Sequence, residues 1–236
     1  MNKAFERTTL LLGQESMDLL SKAHVLVVGV GGVGGYVIEA LVRSGVGNID
    51  LIDNDEVNKS NINRQIIATQ DTVGKKKLDV WKKRIHSISP TCQVHLFPIF
   101  LLPENMEQIP WKQYDYVIDA IDTISTKIAI AKTCHEEGIS LISSMGTGNK
   151  FHPQLLEITD LSKTSVCPLA KVMRHELRKF GITHLKVCYS PEIPQKAVVP
   201  SDEANGKHAP GSMIFVPATA GLYIAQAVIQ DLLEKK

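Results

Sequence analysis

The sequence predicts an α/β protein: a Rossmann-like, doubly wound and mostly parallel sheet, with additional strands and a helix at its C-terminal end. Three observations predict it. Strand-like and helix-like apolar patterns alternate along the 236 residues, as in a series of right-handed crossovers. A continuous apolar run, His24 to Gly29, passes straight into Gly29-Val30-Gly31-Gly32-Val33-Gly34, the strand–turn–helix context of a phosphate-binding fingerprint. Two later strand patterns end in carboxylates, Asp53 and Asp119, where the strands of such a sheet point into a ligand crevice.

The elements follow in order. Residues 14–22 pattern as a short helix. The run 24–29 is apolar on both faces and reads as a buried parallel strand. Residues 31–44 read as a helix with Val33, Val37, Ala40 and Leu41 on one face. A second strand is expected over 48–53, a helix over about 74–87, a third strand over 92–97 and a fourth over 114–119. A helix to about Gly138 and a strand at 140–144 complete the alternation. Residues 155–158 and 185–189 are expected as edge strands flanking a helix at 168–180. Residues 191–212, rich in Pro, Gly, Lys and Ser, read as a long loop. Met213 to Leu233 is apolar but interrupted by Pro217, Thr219, Gln226, Gln230 and Asp231, a buried helix and not a membrane span. No linker divides the chain, so one domain over 1–236 is expected: a nucleotide-binding part at about 24–150 and a substrate-binding part at about 151–236.

Composition narrows the class. Hydrophobic residues are 44% and charged residues 22%, ordinary for a globular chain that buries its own core. Net charge is +1, so nucleic-acid contact requires a local basic patch. Cys92, Cys134, Cys167 and Cys188 are too far apart for a Cys-x-x-Cys zinc site or a compact disulfide framework, and their scatter suits the cytoplasm. His152, His184 and His208 have no metal-ligand spacing.

The chemistry concentrates in the first 150 residues. Gly29, Gly31, Gly32 and Gly34 allow a tight turn whose N–H groups approach phosphates at a helix start. Asp53, with Asp55 just beyond, is placed to accept from ribose hydroxyls. The fingerprint alone does not separate NAD from ATP; the following segments do. Asn61-Ile62-Asn63-Arg64-Gln65 lies just past Asp53, and Lys75-Lys76-Lys77 stand at a helix start, where they oppose the helix dipole. A triphosphate accounts for them, because Arg and Lys stabilise charge built up by attack at phosphorus. Asp119 and Asp122 end the fourth strand; a carboxylate there suits Mg²⁺ held between phosphates, or a helix N-cap in the case of Asp122.

Four strings carry a resemblance: GVGGVGGYVIEALVRSGVGNIDLIDNDEV, SNINRQ, VGKKK and VIDAID, with a match running over roughly residues 7–150. The chain resembles the ubiquitin-activating-like adenylyltransferases, which include the ThiF, MoeB and HesA proteins. The resemblance implies a homodimer that uses MgATP, with Gly31 and Asp53 on the nucleotide, Arg64 and Lys77 on the phosphates, Asp122 on the metal, and Arg7 reaching into the partner's site. In the second half, ITDLSKT (158–164), CPLAKVMR (167–174) and YSPEIP (189–194) are similar to the tRNA threonylcarbamoyladenosine dehydratases. That likeness implies ATP-dependent cyclisation of the modified adenosine beside the anticodon. A threonyl carboxylate attacks the α-phosphate of ATP, and a neighbouring atom of the same side chain closes a ring and expels AMP, with proximity supplying much of the rate.

The chain departs from relatives in lacking zinc cysteine pairs and in reading Gly206-Lys207-His208-Ala209-Pro210-Gly211 before the last helix, where some dehydratases carry a cysteine; this weighs against a sulfur-relay role with a sulfur-transfer partner. For tRNA, the helix at 168–180 sets Leu169, Val172, Met173, Leu177 and Phe180 on an apolar face, and Lys171, Arg174, His175 and Arg178 opposite, extended by Lys179. Two other functions stand beside this one: adenylation of the C-terminal glycine of a sulfur-carrier protein, and a dinucleotide-dependent oxidoreductase.

Overall fold

The computed structural model describes residues 3–195 and 210–234. Two short helices, α1 (Glu6–Leu12) and α2 (Gln14–Lys22), precede β1 (His24–Val28). Then come α3 (Gly34–Arg43), β2 (Asn48–Ile52), α4 (Lys77–Ile88) and β3 (Leu96–Phe97). The second half runs β4 (Tyr116–Asp119), α5 (Ile124–Glu137), β5 (Ser140–Ser144), β6 (Glu157–Asp160), α6 (Pro168–Arg178), β7 (Lys186–Tyr189) and α7 (Phe215–Glu234).

One seven-stranded sheet has the order β3-β2-β1-β4-β5-β7-β6. Every neighbouring pair is parallel except β6–β7. The chain winds outward in one direction from β1 to β3 and in the other from β4, so the winding reverses between β1 and β4. Strands on either side of such a reversal carry their loops apart and leave a crevice at their carboxyl ends.

The sheet is covered on both faces, so β1 and β2 each show one partly exposed residue followed by four buried ones; β1 is apolar after His24, and the one buried polar residue of β2, Asp50, accepts from the Tyr114 hydroxyl at 2.9 Å. On one face α3 packs against α7. Gly221 makes this close approach possible, since a Cβ there would lie 2.5 Å from the Val33 carbonyl and 2.7 Å from Tyr36 Cβ. Ile38, Leu41, Ile224 and Val228 are fully buried in this layer, each contributing about 1.5–3 kcal/mol of transfer free energy. Glu39 ties α3 to α4 through Arg84 at 2.6 Å. On the other face α5, the turns at 103–113 and α6 close the core around Trp111, Ile130 and Met173.

Three expectations are corrected. The third strand pairs only over Leu96–Phe97, with an isolated bridge from Gln93 to Asn48, because Pro98 and the outward turn at 98–102 end the ladder at the sheet edge. The strand at the 185–189 position is interior, not an edge: β7 lies between β5 and β6. The helix after the glycine turn begins at Gly34 rather than Gly31. Residues 196–209, most of the long loop, lie outside the described residues, as does His208. Among the described residues no helix is long and apolar enough to cross a membrane.

Candidate active site

A cavity of about 580 Å³ opens at the switch point, above the carboxyl ends of β2, β1, β4 and β5. Its floor is the glycine turn. Gly29 has φ +85°, and a Cβ there would lie 2.8 Å from Ile121 Cγ2 and 2.9 Å from the Ala120 carbonyl. Gly34 is tighter still, with its would-be Cβ 1.8 Å from the Gly29 carbonyl. These two glycines let β1, the turn and α3 pack together. Gly29, Gly31 and Gly32 line the cavity; Gly34 does not, so its place is in the packing beneath. Asp53 braces the same turn. Its carboxylate accepts from the Val30 N–H at 3.0 Å and the Asp55 N–H at 2.9 Å, leaving lone pairs for a ligand hydroxyl.

The segment after β2 coils back over the turn. Asn58 and Asn61 cap each other reciprocally, which suits the short polar side chains of this stretch. Arg64 follows, with its guanidinium donating to the Ser60 carbonyl and to Asn63 Oδ1, both at 2.9 Å. Of the three lysines, only the last turns inward. Lys77, the first residue of α4, is buried, with Nζ 2.6 Å from Asp55 and 4.0 Å from Asp53. Lys75 and Lys76 are exposed, and Lys76 pairs with Glu56. The lysine run therefore resolves into one cavity cation and two solvated ones.

The two acidic residues after β4 have different fates. Asp119 is wholly buried and cannot face a ligand. It pairs with Lys127 at 2.9 Å and accepts from Ser143 at 2.6 Å, while Lys127 also donates to the Ile121 carbonyl at 3.1 Å. Lys127 is fully buried as well, so this ion pair forms a rigid support under the next residues. Asp122 is exposed and lines the cavity; the N-cap of α5 is Thr123, so Asp122 is not spent on the cap. Among the described residues no cluster of three or more His, Cys, Asp or Glu side chains forms a metal cage. A single carboxylate beside a phosphate site is nonetheless a donor set that suits Mg²⁺, which binds through one or two carboxylates plus phosphate oxygens.

Opposite Asp53 the wall is built by Met145 to Gly148 after β5, by Leu169 of α6, and by Pro210 and Ser212. Asp53 follows β2 and Ser144 ends β5, three strand spacings away, a span of ~15 Å. The cavity thus has two halves, one over the glycine turn and one over β5. Residues without a sequence signal join it here: Phe100, Thr147 and Ser212 line the space only because tertiary folding delivers them. Gln65 was visible in its motif, yet its role was not. It lines the cavity, is 8% exposed, and its Oε1 has no partner in the protein.

Outside the cavity, the remaining candidates separate. Arg7 is exposed on α1 and is not among the lining residues. On α6, Lys171 and Arg178 are exposed, but Arg174 bonds inward to the carbonyl and hydroxyl of Thr164, and Lys179 pairs with Glu176 at 2.7 Å. The apolar face also differs from expectation: Ala170, Met173 and Leu177 are buried, whereas Val172 and Phe180 are exposed, Phe180 lying under the Lys132 ammonium. All four cysteines are buried and unpaired. Burial pushes the Cys188 thiol up to about 12, against the opposing charge of Lys150, which makes it a core group and not a nucleophile.

A glycine-floored crevice with Asp53, Arg64, Lys77 and Asp122 on its walls defines a nucleotide-handling α/β protein, and the match to the ThiF family model over residues 5–236 places the chain in that family. It is 45% identical to the tRNA threonylcarbamoyladenosine dehydratase of Bacillus subtilis (strain 168), over 98% of this chain and 94% of that one. It is 42% identical to the dehydratase of the same name from Escherichia coli (strain K12), over 75% of this chain and 67% of that protein. The fold superposes on the E. coli enzyme TcdA in complex with AMP with a TM-score of 0.90 at 35% identity, covering 98% and 94% of the two chains. A further structure of that enzyme is a complex with ATP, with a TM-score of 0.89.

Proposed function

We propose that this chain is an ATP-dependent dehydratase that cyclises threonylcarbamoyladenosine in tRNA through an acyl-adenylate. The carrying observation is the full-length likeness to dehydratases of that name, at 45% identity over 98% of the chain, joined to a cavity that gathers Asp53, Arg64, Lys77 and Asp122 in one place.

The chemistry follows from the two halves of the cavity. The nucleotide lies over the glycine turn, with its ribose toward Asp53 and its phosphates toward Arg64 and Lys77. A carboxylate entering over β5 faces the α-phosphorus from the other side. Its oxygen attacks, a P–O bond to pyrophosphate breaks, and the acyl-adenylate forms. Arg64 and Lys77 stabilise the charge that develops on the phosphate oxygens, in a pocket already organised to do so. An atom of the substrate's own side chain then attacks the acyl carbon, AMP leaves, and the nucleoside has lost one water. No enzyme nucleophile is needed, which accords with four buried thiols.

Asp122 would hold Mg²⁺, which would neutralise charge on the phosphates. The enzyme is proposed to act as a cytoplasmic homodimer in which Arg7 completes the partner's site; its exposure on α1 leaves it free for that role. The tRNA contacts are proposed for Lys171 and Arg178, with Arg174 and Lys179 contributing less because each already has a protein partner.

Nucleoside mass spectrometry after incubation of the protein with MgATP and tRNA bearing threonylcarbamoyladenosine tests the reading. ATP-dependent loss of one water from that nucleoside is expected. An unchanged nucleoside with bound ATP would redirect the adenylation to another carboxylate, such as a sulfur carrier's C-terminus.

A further inference from the structure

Asn63 belongs to the Asn61–Gln65 motif, and the reaction proposed above gives it no role beyond its bond to Arg64. Its side chain is exposed and bifunctional. Oδ1 accepts from the Arg64 guanidinium at 2.9 Å, and Nδ2 donates to the Ser212 carbonyl at 2.8 Å. Ser212 is 149 positions away in sequence. It lies in a short extended strap, residues 210–212, that has no regular structure of its own and whose Pro210 and Ser212 form part of the cavity wall.

Among the described residues, Asn149 holds the strap from the other side. Asn149 donates its backbone N–H to the Gly211 carbonyl at 2.7 Å, and its Oδ1 accepts from the Gly211 N–H at 2.6 Å. Its carbonyl also accepts from Gln195 at 2.7 Å. Asn149 does this from a left-handed conformation, φ 57°, which Asn tolerates better than most residues. Gly148 completes the seat, because a Cβ there would lie 2.7 Å from Pro210. The strap therefore crosses from the phosphate segment to the loop after β5, over the half of the cavity remote from Asp53.

We propose that Asn63 is a positioning residue that sets the wall of the acyl-substrate half of the cavity. It fixes the strap to the same segment that carries Arg64, so the entry for the carboxylate is built in register with the phosphate contact. The reason is mechanical. The Asn149 contacts hold the strap at Gly211 and α7 anchors it from Phe215 onward; the Asn63 bond fixes Ser212 between these two anchors, on the side of the cavity opposite Asn149. This inference rests on the reading that a tRNA-borne carboxylate enters over β5.

The test is Asn63→Ala and Asn63→Asp in the full-length protein, with two readouts. The first is hydrogen exchange at the amides of residues 211–214, expected to quicken about fivefold to tenfold on loss of one net hydrogen bond. The second is steady-state kinetics, read in Asn63→Asp because that variant keeps the acceptor for Arg64: KM for the modified tRNA is expected to rise by a similar factor while KM for ATP stays within about twofold. Asn63→Asp keeps an acceptor for Arg64 and places an oxygen against the Ser212 carbonyl, so it is expected to quicken strap exchange as Asn63→Ala does. Unchanged exchange in both variants overturns the tether whatever the substrate. Quickened exchange with an unchanged tRNA KM, or equal rises in both KM values, overturns the positioning role. A wild-type protein that leaves the tRNA unaltered overturns the substrate reading instead, and strap exchange then judges the tether alone.

Discussion

Lys77 shows how a single side chain acquires meaning from its surroundings. An ammonium at the start of a helix is unfavourable locally, yet it is buried between Asp53 and Asp55 and faces the cavity. Lys77→Ala removes a preorganised cation from the phosphate wall, and kcat/KM is expected to fall by about 10²–10³-fold, measured by AMP release under saturating tRNA. Lys76→Ala, one position earlier and paired only at the surface with Glu56, is expected to stay within about twofold. Glu39 gives the pH prediction at this scale. Burial pushes its carboxyl up, but the hydrogen bonds and charges of Arg84 and Arg43 outweigh that and hold it below its ordinary 4.5. A carboxyl depressed in the folded state stabilises fully above its unfolded pKa, and that stabilisation is lost as pH falls through the lower folded value. Glu39→Gln is therefore expected to be less stable at neutral pH and to show a flatter decline below about pH 4.5, read from urea midpoints across the acid range.

At the scale of the element, α6 is the instructive case. Periodicity placed Arg174 with Lys171 and Arg178 on a common outer face. In the fold, the guanidinium of Arg174 reaches the Leu161–Thr164 turn instead, which hands the turn a partner and removes that charge from the outer stripe. The two kinds of arginine separate by measurement. Lys171→Ala with Arg178→Ala is expected to weaken tRNA binding and reduce the slope of log K against log salt by about 1–2, with stability unchanged. Arg174→Ala is expected to cost about 1–3 kcal/mol of stability, because the Thr164 groups lose their donor, with a small effect on the salt slope. Equal salt slopes for wild type and the Lys171/Arg178 double variant would return α6 to an ordinary solvated face.

For the whole molecule, the decisive feature is the reversal of winding between β1 and β4, which opens the crevice, and the buried Asp119–Lys127 pair, which holds its far wall. Lys127→Met strands a carboxylate at 0% exposure and is expected to destabilise by about 3–5 kcal/mol; adding Asp119→Asn should recover part of that loss, since the unpaired charge is gone. Urea unfolding of the single and double variants measures both steps. A ligand that binds only the folded chain stabilises it by RT ln(1 + [L]/Kd), which keeps rising after the site is full. ATP at about a hundred times its Kd is expected to add ~2.7 kcal/mol and raise Tm by roughly 5–10 °C for a chain of this size, with no comparable shift from NAD. A preference for NAD would overturn the assignment of Arg64 and Lys77 to a triphosphate.

The sequence by itself determined the alternation of strands and helices, the glycine turn and its place after β1, and the segment that carries Arg64. These are legible because they are local: apolar runs, glycine spacing and charge order are written along the chain. Residue pattern alone did not show which of two nearby carboxylates faces the cavity; only the family resemblance singled out Asp122. Asp119 and Asp122 stand three positions apart, and only the packing of α5 against β4 turns one toward Lys127 and leaves the other at the wall. Nor did it show that Ser212 and Asn63 meet, that β7 lies inside the sheet, or that Arg174 turns inward. Each of these depends on partners brought together from distant parts of the chain, and a contact made by tertiary packing leaves no periodic mark on either of the segments that make it.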